Sequence, residues 1–195
     1  MSLLKNDLFQ TDYDSINQLA ETVEPGANGL LFLPYFSGER TPHRDPKARG
    51  AFFGLSGIHS KKHLMRSVFE GVSFGLKDSL ELIKNMGVQP KQIRATGGGS
   101  KSALWRQILA DIFNNEVVTM QSDEGPAYGA ALIAGVGCGV FENLEQAVSE
   151  TVGVGASTYP EAKNAERYNE IYPLFTSLYK SLKNDYAKAF EIFNQ

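Results

Sequence analysis

Between residues 93 and 139 the chain alternates between two hydrophobic periods, and this alternation limits its possible folds more than any other feature. IRAT (93–96) is strand-like. SALWRQILADIF (102–113) has Leu104, Ile108, Leu109 and Ile112 on one helical stripe. EVVTM (116–120) is again strand-like, and PAYGAALIAGVGCG (126–139) is a helix of small residues suited to close packing against another backbone. Strand–helix–strand–helix order predicts an α/β domain with a partly parallel sheet. Three consecutive glycines, Gly97, Gly98 and Gly99, sit at the first strand-to-helix junction.

The flanking segments supply the rest of the layers. YDSINQLAET (13–22) reads as a short helix stopped by Pro25-Gly26, and GLLFLP (29–34) as a buried strand. GAFFGLS (50–56) reads as a further strand, after the charged loop SGERTPHRDPKARG. Ser60 is placed to cap a helix over 61–86, with apolar residues at 64, 68, 72, 76, 80 and 83, and Gly87 ends it. From Glu161 to the end, Tyr168, Ile171, Tyr172, Phe175, Leu178, Tyr179 and Leu182 mark one face of a final helix. There is no internal repeat. Nothing ahead of Tyr13 reads as a starting domain, so the chain reads as a piece of a longer one.

Composition narrows the function classes. Lys plus Arg number 19 against 22 Asp plus Glu, a net charge of −3, so no basic excess points to nucleic acid or an anionic membrane surface. No apolar run approaches the roughly 20 residues of a membrane span, and the opening residues lack the apolar core of a signal peptide. Cys138 is the only cysteine, and His43, His59 and His63 follow no metal-ligand spacing. A cytoplasmic protein is the expectation.

A glycine run entering a helix opens backbone conformations closed to other residues and clears side chains from a ligand's path. The helix N-terminus favours an anion; Ser100 is placed to cap it, and Lys101 either pairs with an anion or is solvated. No Gly-Lys pair completes a phosphate loop of the GxxxxGK[ST] type. A dinucleotide fingerprint would use Gly97 and Gly99 but meets Ser102 where its third glycine belongs, with Glu124 as the ribose-binding acid. A third reading is an adenine and ribose site against bare backbone, and the plain alternative to all of these is a tight turn with no ligand.

Longer motifs carry a resemblance. GAFFGLSGIHSKKHLMRSVFE (50–70), with Gly50, Phe52, Gly54, Leu55, His63, Leu64, Ser67 and Glu70 at the required places, resembles the second signature of the FGGY carbohydrate kinases. FLPYFSGERTPHRDPKARG, GGGSKSALWRQILAD and EGPAYGAALIAG follow in the order of that family's C-terminal domain. The GERTPH wording favours its ketopentose kinases over those for gluconate or glycerol. The resemblance implies a ribonuclease-H-like α/β domain of the actin, Hsp70 and sugar-kinase superfamily, a mixed sheet flanked by helices spanning residues 1–195. It implies ATP or ADP as ligand, with Gly97, Gly98, Gly99, Ser102, Gly125 and Ala127 lining the adenosine pocket. Mg²⁺, the sugar contacts and the catalytic aspartate are implied in an N-terminal domain that these residues do not include.

His63, Arg66 and Glu70 are expected as polar links on the surface of the 61–86 helix, with Leu64, Val68 and Val72 in the core. Glu39, Arg40, His43, Asp45 and Arg49 fit either a cleft-facing loop or a structural charge network. Asp45, Asp111 and Asp123 match no catalytic pattern; Asp111 is expected on a helix face and Asp123 in a turn. The chain alone is expected to be inactive, and an exposed apolar surface on it would favour a homodimer. A dinucleotide-dependent enzyme and a non-catalytic nucleotide-binding module are the rival readings.

Overall fold

The computed structural model describes residues 6, 10–121 and 125–193. Its centre is α2 (Lys61–Asn85), against which α1 (Tyr13–Glu21), β1 (Leu31–Leu33), α3 (Ala103–Phe113) and α6 (Ala162–Phe193) pack. β1 pairs antiparallel with β2 (Ala51–Phe53). The main sheet has the order β3-β4-β5, with β3 (Ile93–Ala95) parallel to β4 (Val117–Met120) and β4 antiparallel to β5 (Val154–Thr158). Helix α3 is the crossover between the parallel pair. α4 (Gly125–Gly137) and α5 (Leu144–Thr151) connect β4 to β5.

Local chemistry sets the helix ends. Asp12 accepts the Ser15 amide at 2.7 Å to start α1. At the start of α2, His63 Nδ1 accepts the Ser60 backbone N–H at 3.0 Å, closing the first turn on itself. Gly87 ends α2 in the left-handed region at φ +88°. Gly71, in the middle of α2, lies so close to β1 that any Cβ would collide with the Phe32 carbonyl oxygen. The helix can touch the strand only because this residue is glycine.

Burial on α2 departs from the expected stripe. Val68 and Leu80 are buried, and Leu64 and Val72 half-buried, but Leu76 and Ile83 are exposed. Apolar residues four apart drift around the helix, and contact comes from three sides instead of one. Arg66 and Glu70, expected at the surface, are 5% and 1% exposed. Glu70 Oε1 accepts from Arg66 Nε (2.7 Å), Tyr168 OH (2.7 Å) and the Gly26 amide (3.0 Å), and Arg66 Nη2 donates to Tyr168 OH (2.7 Å). Burial pushes the Glu70 carboxyl up from the ordinary value, and the Arg66 charge beside it opposes that rise. His63 is buried too, with its Nε2 3.3 Å from Asn28 Nδ2.

α6 follows its expected face. Tyr168, Phe175, Leu178 and Tyr179 are in the core, with Ile171, Tyr172 and Leu182 packed at its margin. Two elements had no sequence expectation, α5 and the exposed edge strand β5. The small-residue helix α4 packs mainly on α5 and buries only Leu132 among its residues, leaving Ile133 exposed. Among the described residues no helix is long and apolar enough to cross a membrane.

His43 and His63 both titrate below the ordinary histidine value, chiefly because burial penalises the charged ring. The folded chain therefore refuses protons that the unfolded chain accepts, so their contribution to stability is present above about pH 6.5 and lost as pH falls below it. Denaturation midpoints of His63→Gln, which keeps an acceptor for the Ser60 amide, should fall less between pH 7.5 and 5.5 than those of the unsubstituted chain. Equal falls would contradict the account.

Candidate functional site

The glycine triplet lies where β3 ends. Gly97 has φ +80°, a conformation strained for any other residue, and Gly98–Lys101 form one 3₁₀ turn leading to α3. The three glycines have different reasons for being glycine. Gly97 is fixed by its backbone angle. Gly99 is fixed by packing, since a Cβ there would strike the six-membered ring of Trp105. Gly98 has a negative φ and nothing within 4 Å of a Cβ, so the fold itself does not require it.

The expected cap changes place. Ser100 is buried within the turn and donates to the Gly97 carbonyl at 2.7 Å, while Ser102 caps α3 by accepting the Trp105 amide at 3.1 Å. The 3₁₀ turn delays the start of α3 by two residues, which moves the capping position with it. The Ser102 hydroxyl donates to Asn17 Oδ1 at 2.7 Å, tying α1 to the start of α3. Trp105 is held in turn, its Nε1 donating to Ser73 Oγ at 3.0 Å and its ring tilted against Phe69 at 5.6 Å.

A cavity of about 460 Å³ opens between this turn and α1. Gly98, Gly99 and Ser102 form one wall and Asp14 and Asn17 the other, with Phe69 and Trp105 between them. A second, more apolar hollow of about 370 Å³ shares Gly99 and Trp105 and continues to Leu80, Ile83, Ile93 and Leu109. The mixture of flat rings, bare backbone and a few polar groups suits a heteroaromatic ligand.

Gly125 and Ala127 sit exposed in the first turn of α4, and Gly125 has open space where a Cβ would point. Because β3 and β4 are parallel neighbours, with Ala95 opposite Thr119, their C-terminal ends deliver the glycine turn and the start of α4 to the same edge of the sheet. Ligands of open α/β sheets bind at that edge. Glu124 and Asp123 lie outside the described residues.

Other candidates fall away from the cavity. Asp111 is 1% exposed and accepts from the Glu161 amide (2.8 Å), Gln107 Nε2 (2.8 Å) and Asn164 Nδ2 (3.0 Å), which anchors the start of α6. The charged loop is a structural network for most of its length. Glu39 and Asp45 exchange backbone hydrogen bonds at 2.9 and 2.8 Å, and Asp45 accepts from Tyr179 OH at 3.0 Å. His43 stacks on the Tyr179 ring at 3.5 Å, and Arg49 donates to the Pro46 and Ala48 carbonyls, while Arg40 is exposed. Among the described residues no three His, Cys, Asp or Glu side chains come together as a metal site. Sequence reading missed Asn17, Phe69 and Trp105. Only the fold joins them, since Asn17 and Ser102 are 85 residues apart.

Residues 4–138 match the family model described as the FGGY family of carbohydrate kinases, C-terminal domain. The chain belongs to the FGGY carbohydrate kinases. The xylulose kinase of Bacillus subtilis (strain 168) is 39% identical over 172 residues, 88% of this chain and 34% of that protein. Among solved structures, ligand-bound xylulose kinase from Lactobacillus acidophilus superposes with a TM-score of 0.88 at 34% identity. It covers 96% of this chain and 38% of its own. Gluconate kinase from Lactobacillus acidophilus gives 0.87, with the same identity and coverage. The FGGY chain thus spans little more than a third of the relatives it matches. These neighbours place it in the ribonuclease-H-like fold of the sugar-kinase superfamily, the expected α/β class.

The three glycine environments predict three different substitution results. Gly98→Ala should leave the unfolding free energy from urea titration within about 0.5 kcal/mol of that of the unsubstituted chain. Gly99→Ala should lower stability by about 1–3 kcal/mol as Trp105 is displaced, and Gly97→Ala by about 1–2 kcal/mol from its positive φ. Equal losses at Gly98 and Gly99 would remove the distinction.

Proposed function

We propose that this chain is the nucleotide-binding half of an ATP-dependent carbohydrate kinase, whose remaining domain carries the sugar site and the catalytic aspartate. The observation that carries the reading is Gly98, a glycine the fold does not need, facing a cavity at the C-terminal ends of two parallel strands. Adenosine fits there with Gly97, Gly98 and Gly99 against one face. Ser102 offers its remaining lone pair, and Gly125 and Ala127 close the phosphate side at the start of α4. The helix N-terminus and bare backbone favour the negative charge of ATP or ADP. Magnesium across the phosphates neutralises developing charge in such reactions. Its ligands belong to the preceding domain in this reading.

The substrate of the complete protein is D-xylulose. Its 5-hydroxyl oxygen attacks the γ-phosphorus of ATP and the bond to the ADP oxygen breaks. The hydroxyl proton passes to the aspartate of the other domain, giving D-xylulose 5-phosphate and ADP. The support is the likeness to xylulose kinases together with the GERTPH loop. Gluconate is the second reading, favoured by the equal structural likeness to a gluconate kinase. Such an enzyme would act in the cytoplasm. The isolated chain would form a dimer only through surface such as that of α4, which the other domain would otherwise cover.

Incubation of the chain alone with ATP, Mg²⁺ and D-xylulose should give no sugar phosphate above background. The chain joined to its preceding domain should turn over D-xylulose with a higher kcat/KM than gluconate. Turnover by the chain alone, or a preference for gluconate in the joined protein, would overturn the corresponding part of the reading.

A further inference from the structure

We infer that Asn17 reads the base of the bound nucleotide and selects adenine. The inference rests on the nucleotide reading above and adds a residue and a specificity to it. Asn17 is half-buried on α1, facing the cavity across from Gly98 and Gly99. Its carboxamide has one defined orientation. Ser102 Oγ accepts the Trp105 amide and donates its own proton to Asn17 Oδ1 at 2.7 Å, which turns Nδ2 away from Ser102. Nδ2 donates to no group among the described residues.

A carboxamide held this way offers one N–H donor and one acceptor lone pair along a single edge. The N7 and 6-amino group of adenine match that edge, acceptor to donor and donor to acceptor. Hypoxanthine and guanine place an oxygen at position 6, which sets two acceptors against the same edge. Phe69 and Trp105 provide flat surfaces for the purine ring but do not distinguish the two bases. Ser102 is therefore a positioning residue for Asn17, in addition to capping α3.

ADP and IDP differ at position 6 of the base and are the probes. Trp105, the sole tryptophan, lines the cavity and reports binding by its emission. The chain should bind ADP about tenfold or more tightly than IDP, the discrimination expected of one bidentate contact. Asn17→Leu should bring the two affinities together. Asn17→Asp keeps the acceptor for Ser102, and so the fold, and should weaken ADP about tenfold by setting a carboxylate against the N7 lone pair. Thermal unfolding checks that each variant is folded. Equal affinities in the unsubstituted chain, or an ADP preference that survives Asn17→Leu, would overturn the base reading and leave the nucleotide site standing. If neither nucleotide binds, the site itself fails and this inference with it.

Discussion

The buried Arg66–Glu70 pair with Tyr168 is the constraint on which the rest of the molecule depends. It joins the central helix α2 to the last helix and, through the Gly26 amide, to the turn that follows α1. A buried ion pair gains little net stability over a well-packed apolar substitute, but loss of one partner strands a charge at a cost of about 3–5 kcal/mol. Only one rotation and one height of α2 bring Glu70 Oε1 to both the Gly26 amide and the Tyr168 hydroxyl. The network therefore specifies position more than it adds stability. Gly71, directly after Glu70, then lets β1 approach the backbone of α2.

The register of α2 passes directly to the site. One helical turn on from the network, Ser73 receives the Trp105 indole N–H, and Phe69 meets the same ring. The ring in turn excludes any side chain at residue 99 and presses the 3₁₀ turn into place. Ser102 completes the circuit by capping α3 and holding Asn17 of α1. Three helices thus fix one cavity wall, and Gly98, the member of the triplet free of these demands, faces the opening. Preorganisation of this kind keeps a binding surface rigid without ligand, which lowers the ordering cost of binding.

Much of the architecture was legible because it is written in local chemistry. The Ser60 start and Gly87 end of α2, the β3–α3–β4 alternation and the aromatic face of α6 all follow from residues within a few turns of one another. Burial of Arg66 and Glu70 was not legible, since an i,i+4 charge pair looks the same on a surface, and its partner Tyr168 is 102 residues from Arg66. β5 escaped notice because VGAST is an exposed edge held to β4 by backbone bonds, without alternating apolar residues. At the site the glycine triplet was visible, but the separate reasons for its members were not. A positive φ, a tryptophan ring and an empty space leave the same letter in the sequence.

In the proposed reading nucleotide binds at the surface around Gly98, together with the start of α4. Backbone amide NMR of the ¹⁵N-labelled chain during ADP addition tests it most directly. The largest shift changes should fall at Gly97–Ser102, at Asn17 and at Gly125–Ala127, with the Trp105 indole N–H moving alongside them. Shifts confined to the 37–49 loop and α6, with the glycine turn unmoved, would contradict it.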